Sequence, residues 1–85
     1  MRLELPYGAT VGSIISVTYR SSEALAVDTT KPWDGKIVAM DAPRVTVRFD
    51  YKGKPSEYCN LNLDTGMDET WGALIEEISA GGPQS

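Results

Sequence analysis

The stretch that decides the fold is residues 44–51, Arg-Val-Thr-Val-Arg-Phe-Asp-Tyr, in which apolar and polar residues alternate without a break. A period of two places the apolar members on one face of an extended chain and the polar members on the other. Residues 52–56, Lys-Gly-Lys-Pro-Ser, have the composition of a chain reversal. Residues 57–63 then alternate again, with Cys59, Leu61 and Leu63 predicted inward. The sequence therefore predicts a β-hairpin with one dry and one solvated face.

Two further strands are predicted before this hairpin. Val11–Tyr19 alternates and is rich in β-branched residues, which favours a first strand. Lys36–Met40 is short and almost entirely apolar, which predicts a second strand buried on both faces. Ser21–Asp34, between them, is too long for a hairpin turn and is interpreted as a long loop.

The pattern changes after residue 66. Apolar residues recur there at the spacing of one helix face, namely Met67, Trp71, Leu74, Ile75 and Ile78. Asp64 or Thr65 is suited to cap the start of a helix, and Gly81 to stop it. This predicts an amphipathic helix at about 66–79, with a single domain over residues 1–80 and a flexible tail over 81–85.

Together these elements predict a mainly β protein, a small barrel of four to five antiparallel strands with one C-terminal helix. Their order resembles the SH3-like barrel family. The resemblance rests on Val17 and Tyr19, the long loop, the run Trp33-Asp34-Gly35-Lys36-Ile37-Val38 and the hairpin Val45–Leu63. It implies a barrel fold and no particular activity, because barrels of this type serve many unrelated functions.

Composition excludes most small-enzyme chemistry. The chain has 85 residues, no histidine and a single cysteine, so it lacks the commonest metal ligand and the commonest general base. Cys59 is predicted to be an inert core residue. No apolar run approaches the length of about 18 residues that a membrane helix needs. We therefore expect a cytoplasmic protein with no catalytic residues, no metal site, no cofactor and no membrane association.

The charge is sorted along the chain. Residues 1–55 contain all eight basic residues and six acidic ones, whereas residues 56–85 contain six acidic residues and no basic one. A segment with uncompensated carboxylates attracts basic partners. The first candidate binding site is therefore an acidic surface on the predicted helix, composed of Asp68, Glu69, Glu76 and Glu77.

A second candidate site combines aromatic and basic residues. The alternation places Arg44 and Arg48 on the solvated face of one strand and Tyr58 on the solvated face of the next. The complete candidate set is Trp33, Arg44, Arg48, Lys52, Lys54 and Tyr58. Such a surface suits an acidic protein or a nucleic acid, although an isoelectric point of about 4.6 disfavours nucleic acid. Trp33 is interpreted either as a lid over one barrel mouth or as an interface anchor.

These observations favour a non-catalytic protein-binding module whose partner has a basic surface. Its composition is similar to that of phage and mobile-element accessory proteins, which bind a host protein and inhibit or redirect it. Two alternatives stay open: a nucleic-acid-binding barrel that uses the aromatic and basic residues, and a structural subunit of a larger assembly. The sequence does not determine the oligomeric state.

Overall fold

The structure is a computed structural model that describes residues 3–22, 32–51 and 53–81. Its described part is a closed antiparallel barrel of six strands, in which each strand pairs with the next and the last pairs with the first. The strands are β1 (Ile14–Ser22), β2 (Trp33–Asp41), β3 (Arg44–Tyr51), β4 (Lys54–Asn62), β5 (Met67–Asp68) and β6 (Ala73–Ala80). The prediction of a small, mainly β barrel is confirmed. No described helix is long and apolar enough to cross a membrane.

The hairpin β3–β4 forms as its alternation predicts. Val45, Val47 and Phe49 are buried in β3, and Cys59 and Leu61 are buried opposite them in β4. Gly53, in the turn, has a φ of 76°, a conformation that glycine adopts without steric cost. The apolar sides of the two strands form one wall of the barrel core.

The predicted C-terminal helix at 66–79 is wrong, because this segment forms β5, a turn and β6. In β6, Ala73, Ile75 and Ile78 are buried, and their spacing of two and then three residues imitates a helical stripe. The register of β6 against β1 shifts at this point, since Thr18 is opposite Glu77 whereas the next residue of β1 is opposite Ile75. A bulged residue, Glu76, therefore accounts for the extra position. The Gly81 N–H donates to the Ile14 carbonyl at 3.1 Å, and residues 82–85 of the predicted tail lie outside the described residues.

The two predicted N-terminal strands exist with different bounds. β1 begins at Ile14 rather than Val11, and Val11 lies in the preceding turn. β2 begins at Trp33, so Trp33 lies in a strand and not in the predicted loop. Residues 23–31 of that loop lie outside the described residues. β2 is not buried on both faces: Ile37 is fully buried, whereas Met40 is 44% exposed.

Gly35 of β2 lies directly against the side chains of Val47 and Phe49 in β3. A Cβ added there would lie 2.4 Å from Cγ1 of Val47 and 2.9 Å from the ring of Phe49. Such distances are far below van der Waals contact, so the core side of this position has room for hydrogen only. The glycine lets the Phe49 ring lie directly over the β2 backbone.

We therefore expect Gly35→Ala to lower the free energy of unfolding by about 1–3 kcal/mol, the usual cost of overpacking a core. Urea denaturation followed by tryptophan fluorescence measures this. Asp34→Ala, at the exposed neighbouring position, is the control and should change stability by no more than about 0.5 kcal/mol. Equal stability of Gly35→Ala and wild type would show that β2 does not approach Phe49 this closely.

Candidate functional site

Asp68 does not belong to an acidic surface, which corrects the prediction. It is completely buried, and its carboxylate accepts hydrogen bonds from surrounding donors. Oδ2 accepts the Tyr19 hydroxyl at 2.8 Å, and Oδ1 accepts the N–H groups of Thr70 and Trp71 at 3.0 Å each. Burial raises the pKa of this carboxyl above its ordinary value, and these hydrogen bonds oppose the rise. Asp68 is a structural residue that links β1, β5 and the turn before β6.

Glu69 is exposed but already paired. Its Oε1 accepts Nε of Arg44 at 2.8 Å, and its Oε2 accepts Nδ2 of Asn62 at 3.1 Å. The hydrogen bond from Arg44 is the main reason that the pKa of Glu69 is lowered. Asn62 occupies an outward position in the predicted alternation of residues 57–63, yet it is buried, and its Oδ1 accepts two backbone N–H groups of the β4–β5 turn. Glu69 thus fastens this turn to the start of β3.

The other two acidic candidates lie on β6, and not on a helix. Glu76 forms an ion pair with Arg20 at 3.2 Å, which connects the bulged positions of β6 and β1. Glu77 is exposed opposite Thr18. Because Glu69 contacts β3 whereas Glu76 and Glu77 lie beside β1, the structure does not gather the acidic candidates into one patch. Whether any of them contacts a partner stays a prediction.

Trp33 lies apart from the other aromatic and basic candidates. It is half-buried and packs against the core, with its ring edge-on to Trp71 at a centroid distance of 5.9 Å. Trp71 in turn stacks on Phe49 at 5.3 Å and donates its Nε1–H to Glu57 at 3.0 Å. This packing favours the interpretation of Trp33 as a lid over one barrel mouth.

The remaining candidates converge on the outer face of β2, β3 and β4. Arg48 lies directly opposite Lys36 on one side and opposite Tyr58 on the other. In the next row Thr46 Oγ1 donates to Asn60 Oδ1 at 2.8 Å. We define the polar sheet face as Lys36, Arg44, Thr46, Arg48, Tyr58 and Asn60. Of the other candidates, Lys52 lies outside the described residues, and Lys54 is described only as a backbone position of β4.

Arg48 is held in place on this face by Asp50. Its Nη2 donates to Asp50 Oδ2 at 3.3 Å. Nε lies 3.1 Å from Oδ1 but is not aligned to donate, so this buried nitrogen contributes charge attraction without a hydrogen bond. Asp50 also accepts the Ser56 hydroxyl, which is the main reason that its pKa is lowered. The guanidinium is therefore oriented before any partner binds.

The polar sheet face carries groups that can form hydrogen bonds, ion pairs and aromatic contacts. It offers an aromatic ring, oriented cations and hydrogen-bonding groups, and its exposed positions include no thiol or histidine. Cys59 lies beneath the face, fully buried, and burial raises the pKa of its thiol. Among the described residues, no three His, Cys, Asp or Glu side chains lie together in a way that would hold a metal ion.

Comparison with known proteins identifies no relative. No protein-family model, no curated protein and no solved structure matches this chain. The class of the protein is therefore defined by its fold alone, as a small antiparallel β-barrel with a polar face on β2, β3 and β4.

Sequence reasoning placed Asp68 in the wrong environment for an identifiable reason. An aspartate followed at once by Glu69 and Thr70 has the appearance of a solvated helix start. The signal against a helix is the pair of glycines that flank this segment, Gly66 and Gly72, which both adopt positive φ in the structure. The buried partner of Asp68, Tyr19, is 49 residues away and gives no local signal.

The raised pKa of Asp68 predicts how its replacement changes the pH dependence of stability. The native protein retains this proton to a higher pH than an unfolded aspartate, whose pKa is about 3.9. Stability therefore falls as the pH rises from that value through the raised pKa of folded Asp68. We expect Asp68→Asn to remove this fall, so the unfolding free energy of the variant relative to wild type should increase with pH across this window.

Urea denaturation between pH 3.5 and 8 measures the difference. Asp50→Asn is the control with the opposite sign, because a lowered pKa gives stability that is lost as the pH falls. If the unfolding free energies of Asp68→Asn and wild type differed by a constant amount over the whole pH range, the raised pKa of Asp68 would be contradicted.

Proposed function

We propose that this protein is a non-catalytic protein-binding module that contacts its partner through the polar sheet face. The observation that carries the proposal is the position of Tyr58. Tyr58 is 57% exposed on β4, the outermost strand of the polar sheet face, directly opposite Arg48. Tyrosine and arginine dominate the binding energy of protein interfaces when they lie together near the centre of a patch.

The neighbours of Tyr58 reduce the cost of binding. Arg48 is oriented by Asp50, and the Thr46–Asn60 hydrogen bond fixes the adjacent row. Side chains that are ordered before association lose less conformational entropy on binding. A largely pre-organised surface of this kind suits a protein partner.

The charge on and around the face favours protein over nucleic acid. The cations Lys36, Arg44 and Arg48 are matched by Asp41, Asp50 and Glu69 on the same strands and the adjoining turn. Nucleic-acid surfaces need a clear excess of positive charge, whereas the whole chain carries a net charge of −4. Binding to a mixed-sequence oligonucleotide near 50 mM salt, weakening steeply as salt is added, would favour the nucleic-acid alternative instead.

The acidic candidates support the proposal less than the polar sheet face does. Asp68 is buried, and Glu69 and Glu76 are each paired with an arginine, so Glu77 is the acidic candidate without an assigned cation. A partner with a basic surface therefore stays a hypothesis that rests on net charge. We also propose, from the order of the elements and the composition, that the chain is an SH3-like barrel of the cytoplasm that inhibits or redirects a host protein.

We expect Tyr58→Ala and Arg48→Ala each to weaken partner binding about 30-fold, which corresponds to roughly 2 kcal/mol at a central interface residue. The experiment is affinity capture from a lysate with the immobilised chain, followed by titration of the identified partner. Neither side chain contributes to the barrel core, so circular dichroism should show both variants folded.

The matched control for this experiment is Glu77→Gln, an exposed substitution on β6 away from the polar sheet face. It should leave the affinity within about twofold of wild type if the polar sheet face is the interface. Loss of binding in Glu77→Gln together with full binding in Tyr58→Ala and Arg48→Ala would reject the polar sheet face in favour of the acidic residues. Rapid turnover of a substrate by the chain would reject the non-catalytic class.

A further inference from the structure

β4 is paired along its two edges to very different extents. On one edge it pairs with β3 from Lys54 to Asn62. On the other edge β5 pairs only with Leu61 and Asn62, because β5 is two residues long. Within the described residues, no strand pairs with this edge of β4 before Leu61.

The direction of the backbone groups on this edge follows from Asn60. Its carbonyl accepts the Glu69 N–H at 2.8 Å, and its own N–H donates to Thr70 Oγ1 at 2.9 Å. Both groups thus point away from β3. Because backbone groups alternate direction along a regular antiparallel strand, the N–H and C=O of Tyr58 point the same way, whereas the register of β4 against β3 shifts between Glu57 and Lys54. No hydrogen-bond partner for these groups occurs among the described residues.

We propose that this edge of β4, residues 55–59, receives an extended segment of a protein partner, which adds to the sheet as a further strand. Strand addition uses the backbone groups of an exposed edge for affinity and the adjacent side chains for specificity. The proposal rests on the proposed function and specifies how the partner binds. Tyr58 then contributes its ring to the polar sheet face and its backbone to the new strand pair.

Glu57 indicates the chemistry of the incoming segment. Its carboxylate is exposed beside this edge and accepts a hydrogen bond from Trp71, but no cation lies against it among the described residues. Residues directly opposite each other in a non-hydrogen-bonded pair have Cα atoms about 4.5 Å apart, so a lysine or arginine opposite Glu57 reaches the carboxylate. The segment is therefore extended and basic at this position.

The same residue disfavours a second copy of this chain as the occupant. Pairing two copies so that Ser56 meets Tyr58 of the other copy would place the two Glu57 side chains directly opposite each other. Like charges in that position destabilise a strand pair. A heterologous segment avoids this repulsion.

Amide hydrogen exchange of the isotopically labelled full chain gives the first test. Glu57 and Cys59 have N–H groups that point to β3 and should be protected, whereas the Tyr58 N–H should exchange at nearly the rate of an unstructured peptide. Protection of the Tyr58 amide in the free protein would overturn the proposal, because another part of the chain would then cover the edge.

The second test removes the Tyr58 N–H without changing its side chain. Residues 1–58 carrying N-methyl-Tyr58 can be joined to residues 59–85 by ligation at Cys59, which leaves the sequence intact. The probes are linear peptides selected from a random library on the unmodified chain. We expect these peptides to contain a lysine or arginine and to bind the N-methylated chain about tenfold more weakly than the unmodified chain. When bound to the unmodified chain, they should protect the Tyr58 amide from exchange.

The outcomes separate this proposal from the proposed function. If peptides bind the N-methylated chain with unchanged affinity but do not bind the Arg48→Ala variant, strand addition is overturned and the polar sheet face is still the interface. Peptides affected by N-methylation but not by Arg48→Ala support strand addition alone. A library that yields no binder, or binders indifferent to both changes, overturns strand addition. The synthetic unmodified chain is the control for correct folding.

Discussion

The described structure depends most on the buried carboxylate of Asp68. A charged or protonated carboxyl with no contact to water is stable only when its oxygens are hydrogen-bonded, and here the donors come from β1 and from the turn that precedes β6. β5 is only two residues long and cannot hold the barrel closed by its ladder alone. The carboxylate supplies the additional fixation, since it joins β5 to Tyr19 of β1 across the core. Closure of the barrel therefore depends on the hydrogen bonds of the buried Asp68 carboxylate.

The position of Trp71 follows from the same interaction. Its backbone N–H is held by Asp68, and its indole ring then fills the barrel mouth between Tyr19 and Phe49, with ring centroids 5.6 and 5.3 Å away. Trp33 closes over it from β2. Because the large aromatic rings of this end turn inward, the outer face of the sheet keeps only Tyr58 as an exposed aromatic side chain among its described residues. Of the predicted aromatic and basic set, Trp33 thus packs against the core, whereas Arg44, Arg48 and Tyr58 lie on the polar sheet face.

The ion pairs have a comparable division of tasks. One pair, Arg44 with Glu69, fixes a turn, and another, Arg20 with Glu76, connects two bulged positions. A third pair, Arg48 with Asp50, orients a cation beside Tyr58. Exposed pairs of this kind contribute little to stability, so their main effect is geometric. They also pair two of the six acidic residues of the C-terminal third, Glu69 and Glu76, with arginines, and Asp68 is buried, so the charge imbalance along the chain does not become a single acidic patch. Among the described residues, no hydrogen-bond partner occurs for the backbone N–H and C=O of Tyr58 on the edge of β4.

The amino-acid sequence by itself determined the hairpin β3–β4, because the alternation of residues 44–51 is a local pattern that only an extended chain with one buried face satisfies. It also determined that Arg48 and Tyr58 face outward, whereas the register of the hairpin places them directly opposite each other. Tertiary structure alone decided the C-terminal segment. There a bulge in β6 opposite β1 spaces the buried residues as they would be spaced on one face of a helix, so the sequence pattern does not distinguish the two. The segment forms a strand because it pairs with the edge of β1. The burial of Asp68 was likewise decided by a tyrosine distant in sequence, since the environment of a carboxylate is a property of the packed barrel and not of its neighbours in the chain.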